Sequence, residues 1–373
     1  MRIGVNTRFL LKDKLEGIGW FTFETISRIV KAHPEHEFYF FFDRPYDKQF
    51  IFADNVKPVV VFPPARAPFL WKLWFDYALP GVFRKYKIDA FISTDGYCSL
   101  KTPIPQLLVV HDLAFKHHRF GLSAGVMRFY EKYMPLYLKK AKRIVTVSNF
   151  SKTDIIQQYG IDKPIDVVHN GFNNNFKVLD ESQKTTIRAK YTQNNPYFIF
   201  LGAIHPRKNP LRLLKAFEAF KKQTQANHQL VLVGRKAWAN NELDNYYKSM
   251  KFKADVLFLS HLPLEEVKEI LAAAEALVYP SIFEGFGIPI LEAMACGVPV
   301  ITSNTSSMPE VAGNAGLLID PLNIDSIYLS LIKLYNNPAF RAEMILKGND
   351  QKDKFDWQKS AEDLWLSFEK MMY

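Results

Sequence analysis

Two glutamates flank a glycine-bearing stretch whose chemistry suits a charged, elongated ligand. Between Tyr279 and Val300 the sequence reads as the end of a buried strand, a loop that holds Glu284, and a helix over about 289–296 that carries Glu292. A loop that leads into a helix N-terminus presents backbone N–H groups and the positive end of the helix dipole, which suits a phosphate. If the segment were fully helical, the two carboxylates would lie about 12 Å apart, too far to share a proton but suited to two ends of one ligand. The alternative is an ordinary buried helix with both glutamates in solvent.

Two other candidate sites follow buried strands. His111 and Asp112 come directly after an apolar run, and Arg207 and Lys208 stand at a turn between a strand and a helix. Ligands of parallel α/β sheets bind at the carboxyl ends of the strands. We therefore interpret His111 as a site residue with Asp112 orienting its imidazole, and the two cations as a seat for an anion. The alternatives are a structural histidine and a pair of solvated cations.

Strands and helices alternate along the chain, which predicts parallel sheets covered by helices. A length of 373 residues suits two domains. We place the hinge in 172–195, a segment rich in Asn, Gln, Lys and Thr, so that the domains cover 1–178 and 195–355. Arg235 and Lys236 follow a strand of the second domain and are further candidates for contact with the anion.

Two predicted helices combine aromatic and basic residues. The helix over 69–79 places on one face Leu70, Leu73, Trp74 and Tyr77. We expect this face to be core, with contact to a lipid-linked acceptor as the alternative. The helix over 125–142 carries three tyrosines among its cations, namely Tyr130, Tyr133 and Tyr137. Its interpretations are a membrane-facing surface or cations that complement the helix dipole.

The net charge of +10 is concentrated in the first half of the chain. Residues 1–180 carry 26 Lys and Arg against 17 Asp and Glu, whereas residues 181–373 carry 22 against 21. A basic half favours a phospholipid surface, a lipid diphosphate or a nucleic acid, and a general solubility charge is the alternative. Cys98 and Cys296 stand far apart without metal-ligand spacing, which is typical of a reducing cytosol and argues against a zinc site. We find no apolar run of transmembrane length and no signal-peptide pattern.

The stretch from Glu284 to Glu292 resembles the E-x7-E motif of the family 4 retaining glycosyltransferases, which have the GT-B fold. Further segments resemble the same family in the same order, namely His111-Asp-Leu113, Val147-Ser-Asn-Phe-Ser151, Asn170-Gly171 and the G-x4-R-K-N segment from Gly202 to Asn209. The resemblance implies an α/β protein of two Rossmann-like domains whose parallel sheets face across a cleft. It also implies that a C-terminal helix, 356–373, crosses back to the first domain, which binds the acceptor.

The resemblance assigns roles to individual residues. In the family the first glutamate contacts hydroxyls of the donor sugar and the second contacts the ribose, which implies these roles for Glu284 and Glu292. The residues implied as catalytic are His111, Arg207, Lys208 and Glu284. Those implied at the nucleotide sugar are Gly17, Gly19, Gly202, Arg207, Lys208, Glu284, Gly285, Phe286, Gly287, Ile288 and Glu292.

The resemblance implies transfer of a hexose from a nucleotide sugar to a glycan or a lipid-linked saccharide, with retention through front-face attack. No D-x-D motif marks a divalent-ion site, and we expect neither a metal nor a cofactor. The segments from His111 and Ser306 look most like mannosyltransferases, so GDP-mannose is the predicted donor, with UDP-glucose, UDP-N-acetylglucosamine and dTDP-rhamnose as alternatives. We expect a cytoplasmic protein in cell-surface polysaccharide synthesis, with its basic half contacting an anionic membrane and no nucleic acid bound.

Three other functions remain open at this point. A nicotinamide-dependent oxidoreductase would need a complete glycine fingerprint, and the run Gly285-Phe-Gly-Ile-Pro-Ile290 lacks the third glycine. A non-catalytic protein that binds sugar nucleotides or nucleic acid would show no sugar transfer or donor hydrolysis. A sugar-nucleotide 2-epimerase shares the architecture, and product analysis would separate it.

Overall fold

The chain forms two compact units. The computed structural model describes residues 1–118, 121–235, 241–260 and 262–373, so the predicted contact at Lys236 lies outside the described residues. The first unit comprises Met1–Asn170 together with Asp356–Tyr373, and the second comprises Gly171–Phe355. Each unit is an α/β sandwich around its own sheet, which confirms the predicted α/β class.

The sheet of the first unit has seven parallel strands in the order β3-β2-β1-β4-β5-β6-β7. The strands are β1 Arg2–Asn6, β2 Glu37–Phe42, β3 Val56–Val60, β4 Ala90–Ser93, β5 Gln106–Val110, β6 Arg143–Thr146 and β7 Ile165–Val167. The order reverses between β1 and β4, which is the switch point where such sheets bind ligands.

The sheet of the second unit has six parallel strands in the order β10-β9-β8-β11-β12-β13. The strands are β8 Tyr197–Leu201, β9 Gln229–Val233, β10 Val256–Leu259, β11 Ala276–Tyr279, β12 Val300–Ser303 and β13 Gly316–Ile319. Here the switch point lies between β8 and β11, and the loops that follow these two strands carry the cations and Glu284.

Helices follow most strands and cover the sheets. In chain order they are α1 Gly17–Ala32, α2 Pro68–Leu73, α3 Leu79–Tyr86, α4 Ala114–His117, α5 Ala124–Lys140, α6 Asn149–Tyr159, α7 Glu181–Thr192, α8 Pro210–Thr224, α9 Asn241–Ser249, α10 Leu264–Ala272, α11 Ile288–Ala295, α12 Met308–Ala312, α13 Ile324–Asn336, α14 Pro338–Lys352 and α15 Trp357–Met372. The segment 172–195, in which the sequence placed the hinge, belongs to the second unit and contains α7. Among the described residues, none of these helices is both long and apolar enough to cross a bilayer.

The core of the first unit forms around the aromatic run of β2. This strand is buried along nearly its whole length, as expected where helices cover both faces of a parallel sheet. Gly4 in β1 makes room for it, because a Cβ at this position would lie 2.7 Å from the ring of Phe41. The final helix α15 packs on α1, where the Trp365 indole stacks on the His33 ring at 3.8 Å. The C-terminal helix is thus part of the first unit.

The structure differs from the interpretation of two helices for identifiable reasons. A π-helical turn, Trp74–Ala78, follows α2 and shifts the helical phase, so Tyr77 is exposed although Trp74 is buried. The tyrosines of α5 do not form an exposed surface, because Tyr137 is buried and Tyr130 and Tyr133 pack against the core.

Candidate active site

The cationic turn of the second unit begins at two glycines that lie side by side. Gly202 follows β8 with φ of +141°, a conformation that disfavours side chains. Gly234 follows β9, and a Cβ there would lie 2.0 Å from the carbonyl oxygen of Gly202. The close approach of the strand ends therefore requires glycine at 234, whereas at 202 the positive φ favours it. The short helical turn Pro206–Lys208 then places both cations beside the end of β11.

Arg207 and Lys208 converge on one carboxylate. The Arg207 guanidinium donates to Glu284 Oε2 at 3.0 Å, and Lys208 Nζ lies 2.5 Å from Glu284 Oε1. Tyr279 accepts a hydrogen bond from Lys208 Nζ, and Ser281 donates to Glu284 Oε1. The glutamate is 7% exposed, so the ion pairs are largely shielded from water. The cations are therefore held in place by the protein before any ligand arrives.

The pKa of the Glu284 carboxyl shows which interaction dominates in this cluster. Burial by itself would raise this pKa, but the charges of Arg207 and Lys208 outweigh burial and lower it to about 2. His205 lies at the start of the turn, where its Nδ1 accepts the N–H of Arg207. Burial and the two neighbouring cations lower the pKa of His205, which keeps its ring neutral at pH 7. The cluster therefore carries a net positive charge near neutral pH.

Hydroxyl groups from one segment, residues 303–307, hold the loop that carries Glu284. The residues that donate to carbonyl oxygens of residues 281–286 are Ser303, Thr305 and Ser307, and Ser306 accepts the N–H of Glu284. Ser306 adopts φ of +52°, which is uncommon for a residue with a side chain. The hydrogen bonds of this segment thus fix the backbone of the loop, and they hold Ser306 in an unfavourable backbone conformation.

The loop presents its glycine N–H groups on the side away from this segment. Ser307 binds the carbonyl oxygens of Glu284 and Phe286 at 2.9 and 2.8 Å. The C=O and the following N–H of a trans peptide point in opposite directions, so the N–H groups of Gly285 and Gly287 point away from Ser307. Gly287 is the N-cap of α11 with φ of +107°. These orientations fit the prediction that the loop N–H groups face a sugar and a diphosphate.

Glu292 lies on α11. This helix begins at Ile288, one residue before the predicted start at Pro289. The Glu292 side chain is half-buried and, among the described residues, has no ion-pair or hydrogen-bond partner. Burial raises its pKa to about 7. A carboxylate in this state lacks the hydrogen bonds that would stabilise its charge, and ribose hydroxyls would supply them.

Replacing Glu292 with glutamine should stabilise the free protein at pH 8 and weaken nucleotide binding. The folded-state pKa lies above the usual 4.5, so ionisation of Glu292 costs stability as the pH rises from about 4.5 through 7. We expect Glu292→Gln to gain about 3 kcal/mol in the free energy of unfolding at pH 8 and less than about 1 kcal/mol at pH 5. Urea denaturation at both pH values measures this, with Glu269→Gln on the exposed face of α10 as the control. An equal effect at both pH values would contradict the prediction.

His111 is placed in the first unit, directly after β5. Its Nε2 lies 2.8 Å from the carbonyl oxygen of Thr94, and because a carbonyl only accepts, Nε2 carries the proton. Burial lowers the pKa of the imidazole, so the neutral ring presents Nδ1 as an acceptor. The predicted orienting role of Asp112 is wrong, because its carboxylate accepts the N–H of Ala114 at 2.9 Å. Phe21 of α1 meets the imidazole edge-on at 5.1 Å between ring centroids.

Gly17 and Gly19 of α1 differ in whether the structure has room for a side chain. A Cβ on Gly19 would lie 2.8 Å from the carbonyl oxygen of Phe9, so close packing of the preceding loop requires this residue. Gly17 is exposed at the start of α1, and nothing lies within 4 Å of a Cβ there. Contact of either glycine with a phosphate or an acceptor stays a prediction.

The structure places the predicted residues in two groups. His111, Gly17 and Gly19 belong to the first unit, whereas the second unit brings together Gly202, Arg207, Lys208, the loop 284–287, Ile288 and Glu292. Sequence reasoning missed Gly234, Tyr279 and the hydroxyls of 303–307, because each acts through a partner distant in the chain. It also missed Ser281, although its partner Glu284 is only three residues away. It also missed a buried ion pair at the switch point of the first sheet, in which Arg8 contacts Asp95 at 2.5 Å.

Two units, each with a parallel sheet covered by helices, form the GT-B fold. The structure of Anabaena HepE in complex with UDP-glucose is similar over 99% of this chain and 100% of HepE, with a TM-score of 0.77 and 17% identity. Residues 16–176 match the family described as Glycosyltransferase Family 4, and residues 183–351 match Glycosyl transferases group 1. The chain belongs to the family 4 glycosyltransferases, which confirms the resemblance seen in its motifs.

The curated relatives include two O-antigen proteins. O-antigen chain mannosyltransferase B of Escherichia coli is 33% identical over 62% of this chain and 61% of its own length. O-antigen chain mannosyltransferase RfbU of Salmonella typhimurium is 33% identical over 60% of this chain and 60% of its own length. The similarity thus spans about three fifths of each relative.

Proposed function

We propose that this protein is a retaining glycosyltransferase that moves mannose from GDP-mannose to a glycan or lipid-linked saccharide of a cell-surface polysaccharide. The observation that carries the proposal is the cluster of Arg207 and Lys208 on Glu284, at the switch point of the second sheet and beside a loop that leads into α11. The two relatives named as O-antigen mannosyltransferases support mannose and the polysaccharide.

The cationic turn suits the departure of a nucleoside diphosphate. Breaking the bond between the anomeric carbon and the diphosphate builds negative charge on the leaving group. Arg207 and Lys208 are already oriented by Glu284, so little reorganisation is needed when that charge develops. The N–H groups of Gly285 and Gly287 and the dipole of α11 add positive potential.

The remaining residues hold the donor in this proposal. Glu284 accepts hydrogen bonds from sugar hydroxyls and Glu292 accepts them from the ribose. His111 accepts a donor-sugar hydroxyl through Nδ1, in keeping with its neutral tautomer. Retention follows from attack of the acceptor on the face that the diphosphate leaves, with the leaving phosphate taking the acceptor proton. The anomeric configuration of the product, read by NMR, tests this step.

The identity of the nucleotide is testable without knowing the acceptor. At about 100 times its dissociation constant, GDP is expected to stabilise the protein by about 2.7 kcal/mol, which raises Tm by several degrees. UDP and dTDP should have a smaller effect at the same concentration. Arg207→Ala should abolish the shift, whereas Lys222→Ala, an exposed cation of the same unit, should keep it.

Different outcomes of this screen separate the parts of the proposal. Stabilisation by UDP alone would overturn GDP-mannose and favour a UDP-sugar donor, as in the HepE complex. Stabilisation by GDP without any sugar transfer or GDP-mannose hydrolysis would favour a non-catalytic nucleotide-sugar-binding protein. Conversion of the nucleotide sugar to its epimer, without formation of an acceptor product, would indicate an epimerase.

A further inference from the structure

The ion pair of Arg8 and Asp95 lies at the switch point of the first sheet and is closed to ligands. Arg8 follows β1 and Asp95 follows β4, the two strands between which the strand order reverses. Both Nε and Nη2 of Arg8 donate to Asp95 Oδ2, at 3.0 and 2.5 Å. Each residue is only 6% exposed, so neither side chain is open to a ligand. A contribution of this pair to function must therefore act through a neighbouring group.

The surroundings of Arg8 fix its guanidinium in place. Its Nη1 donates to the carbonyl oxygen of Ala65 at 3.3 Å. The guanidinium carbon lies 4.9 Å from the ring centroid of Phe75 and 5.1 Å from that of Tyr97, and both rings belong to the core of the first unit. Cation–π contacts of this kind are stronger where water is excluded. The carboxylate of Asp95 is thus bound to a cation that is itself held by the core.

The second oxygen of the Asp95 carboxylate closes the turn that follows β4. Oδ1 accepts the hydroxyl of Ser93 at 3.3 Å and the N–H of Tyr97 at 3.4 Å. These two residues lie on either side of Thr94 in the chain. The direction of the Thr94 carbonyl is therefore set by Asp95 and, through the ion pair, by Arg8.

The Thr94 carbonyl in turn holds the ring of His111. Its oxygen lies 2.8 Å from Nε2, which fixes the proton on this nitrogen and leaves Nδ1 as an acceptor. Within the described ranges, no protein group hydrogen-bonds to Nδ1, so this atom is the one that can meet a ligand. The hydroxyl of Ser151 donates to the carbonyl oxygen of His111 at 3.1 Å, so the backbone of His111 is held independently of its ring.

We propose that Arg8 and Asp95 are positioning residues for His111, which they hold in the Nε2–H tautomer and in one ring orientation through the Thr94 carbonyl. A buried ion pair adds little net stability over apolar residues of similar volume, but its charge-assisted hydrogen bonds are directional and fix geometry. A group that meets a sugar hydroxyl gains from such rigidity, because a displacement of about 1 Å can cost about 100-fold in rate. The effect on sugar transfer rests on the proposed function, whereas the effect on the imidazole does not.

Histidine NMR of the free protein tests the positioning itself. The wild type is expected to show an imidazole N–H signal that exchanges slowly with water and is absent in His111→Asn. Replacing the pair by apolar residues, Arg8→Met with Asp95→Leu, leaves no unpaired buried charge and should accelerate this exchange at least about tenfold. The same replacement in a second ion pair of the first unit, Arg143→Met with Asp166→Leu, should leave the signal unchanged, because Arg143 lies at the other end of the strands.

Transfer kinetics connect the ring to the reaction. The replacement Arg8→Met with Asp95→Leu should lower kcat at least about tenfold in the otherwise unchanged protein. It should have little further effect in His111→Ala, because the group that the pair positions is then gone. If His111→Ala transfers sugar at the wild-type rate, the proposed role of His111 fails, and the exchange measurement alone decides on the positioning.

Two results would overturn the assignment. One is unchanged exchange of the His111 N–H in the folded variant with the apolar pair. The other is an equal loss of kcat with and without the imidazole, because the ion pair would then act on the fold as a whole. If the apolar pair does not fold, Asp95→Asn takes its place and is judged by the same two results, since it keeps the size and an acceptor for Arg8 but removes the charge.

Discussion

Replacing Lys208 with alanine is expected to lower the rate of sugar transfer at least tenfold, which corresponds to about 1.4 kcal/mol of transition-state stabilisation. Lys208 Nζ is fixed between the carboxylate of Glu284 and the hydroxyl of Tyr279, so its charge is in place before the diphosphate leaves. A donor group aimed at developing charge commonly contributes more than this. The effect should fall mainly on kcat, because the charge on the leaving group grows in the transition state.

The comparison that isolates Lys208 uses two further variants. Lys208→Arg keeps the charge but not the shape, and we expect it to recover only part of the lost rate. Lys222→Ala removes an exposed lysine that pairs with Glu218 on α8, and its kinetics should match the wild type. Steady-state assays with the donor found active in the nucleotide screen give these values. A kcat of Lys208→Ala equal to that of the wild type would remove this residue from the mechanism.

Replacing Glu284 with glutamine is expected to cost both activity and stability. The depression of its pKa from 4.5 to about 2 corresponds to about 3 kcal/mol in favour of the folded state. Because the folded-state pKa is the lower one, this contribution is complete above about pH 5 and is lost as the pH falls through 4.5 toward 2. The variant also leaves Arg207 and Lys208 without the carboxylate that orients them, so transfer should fall by at least about tenfold.

Denaturation at two pH values checks the electrostatic origin of the loss. At pH 7 the free energy of unfolding of Glu284→Gln should lie about 3 kcal/mol below that of the wild type, and the gap should narrow toward pH 3. Glu265→Gln makes the same change in an ion pair whose carboxylate is 80% exposed, with Lys268, and should cost under about 0.5 kcal/mol. If Glu284→Gln were as stable as the wild type at pH 7, the ion-pair cluster would not hold the turn.

The elements of the second unit were largely predictable because their signals are local. The apolar run before Gly202, the helix-starting Pro289 and the helix-ending Gly297 each act within a few residues, and the structure confirms their elements with bounds shifted by a residue or so. The same holds for the alternation of strands and helices that gave the α/β class. Where a helix carried an internal irregularity, as at Trp74–Ala78, the 3.6-residue period misassigned a face.

The contacts that build the site depend on residues far apart in the chain. Arg207 and Glu284 are separated by 77 positions, and Gly234 is required only because Gly202 lies against it. The segment from Ser306 resembles a family segment, but no local pattern shows that Ser306 and Ser307 fix the backbone of the Glu284 loop.

The class of fold, the family and most of the candidate site residues could be predicted from the sequence alone. Those properties depend on hydrophobic periodicity, turn residues and short motifs, all of which are specified by residues close together in the sequence. Three features appear only in the folded chain, namely the carboxylate that Arg207 and Lys208 share, the hydrogen bond between His111 and Thr94, and the packing of the α5 tyrosines against the core. Such pairings depend on how strands are ordered in a sheet and how helices pack on it, and both are set by the packing of the whole unit.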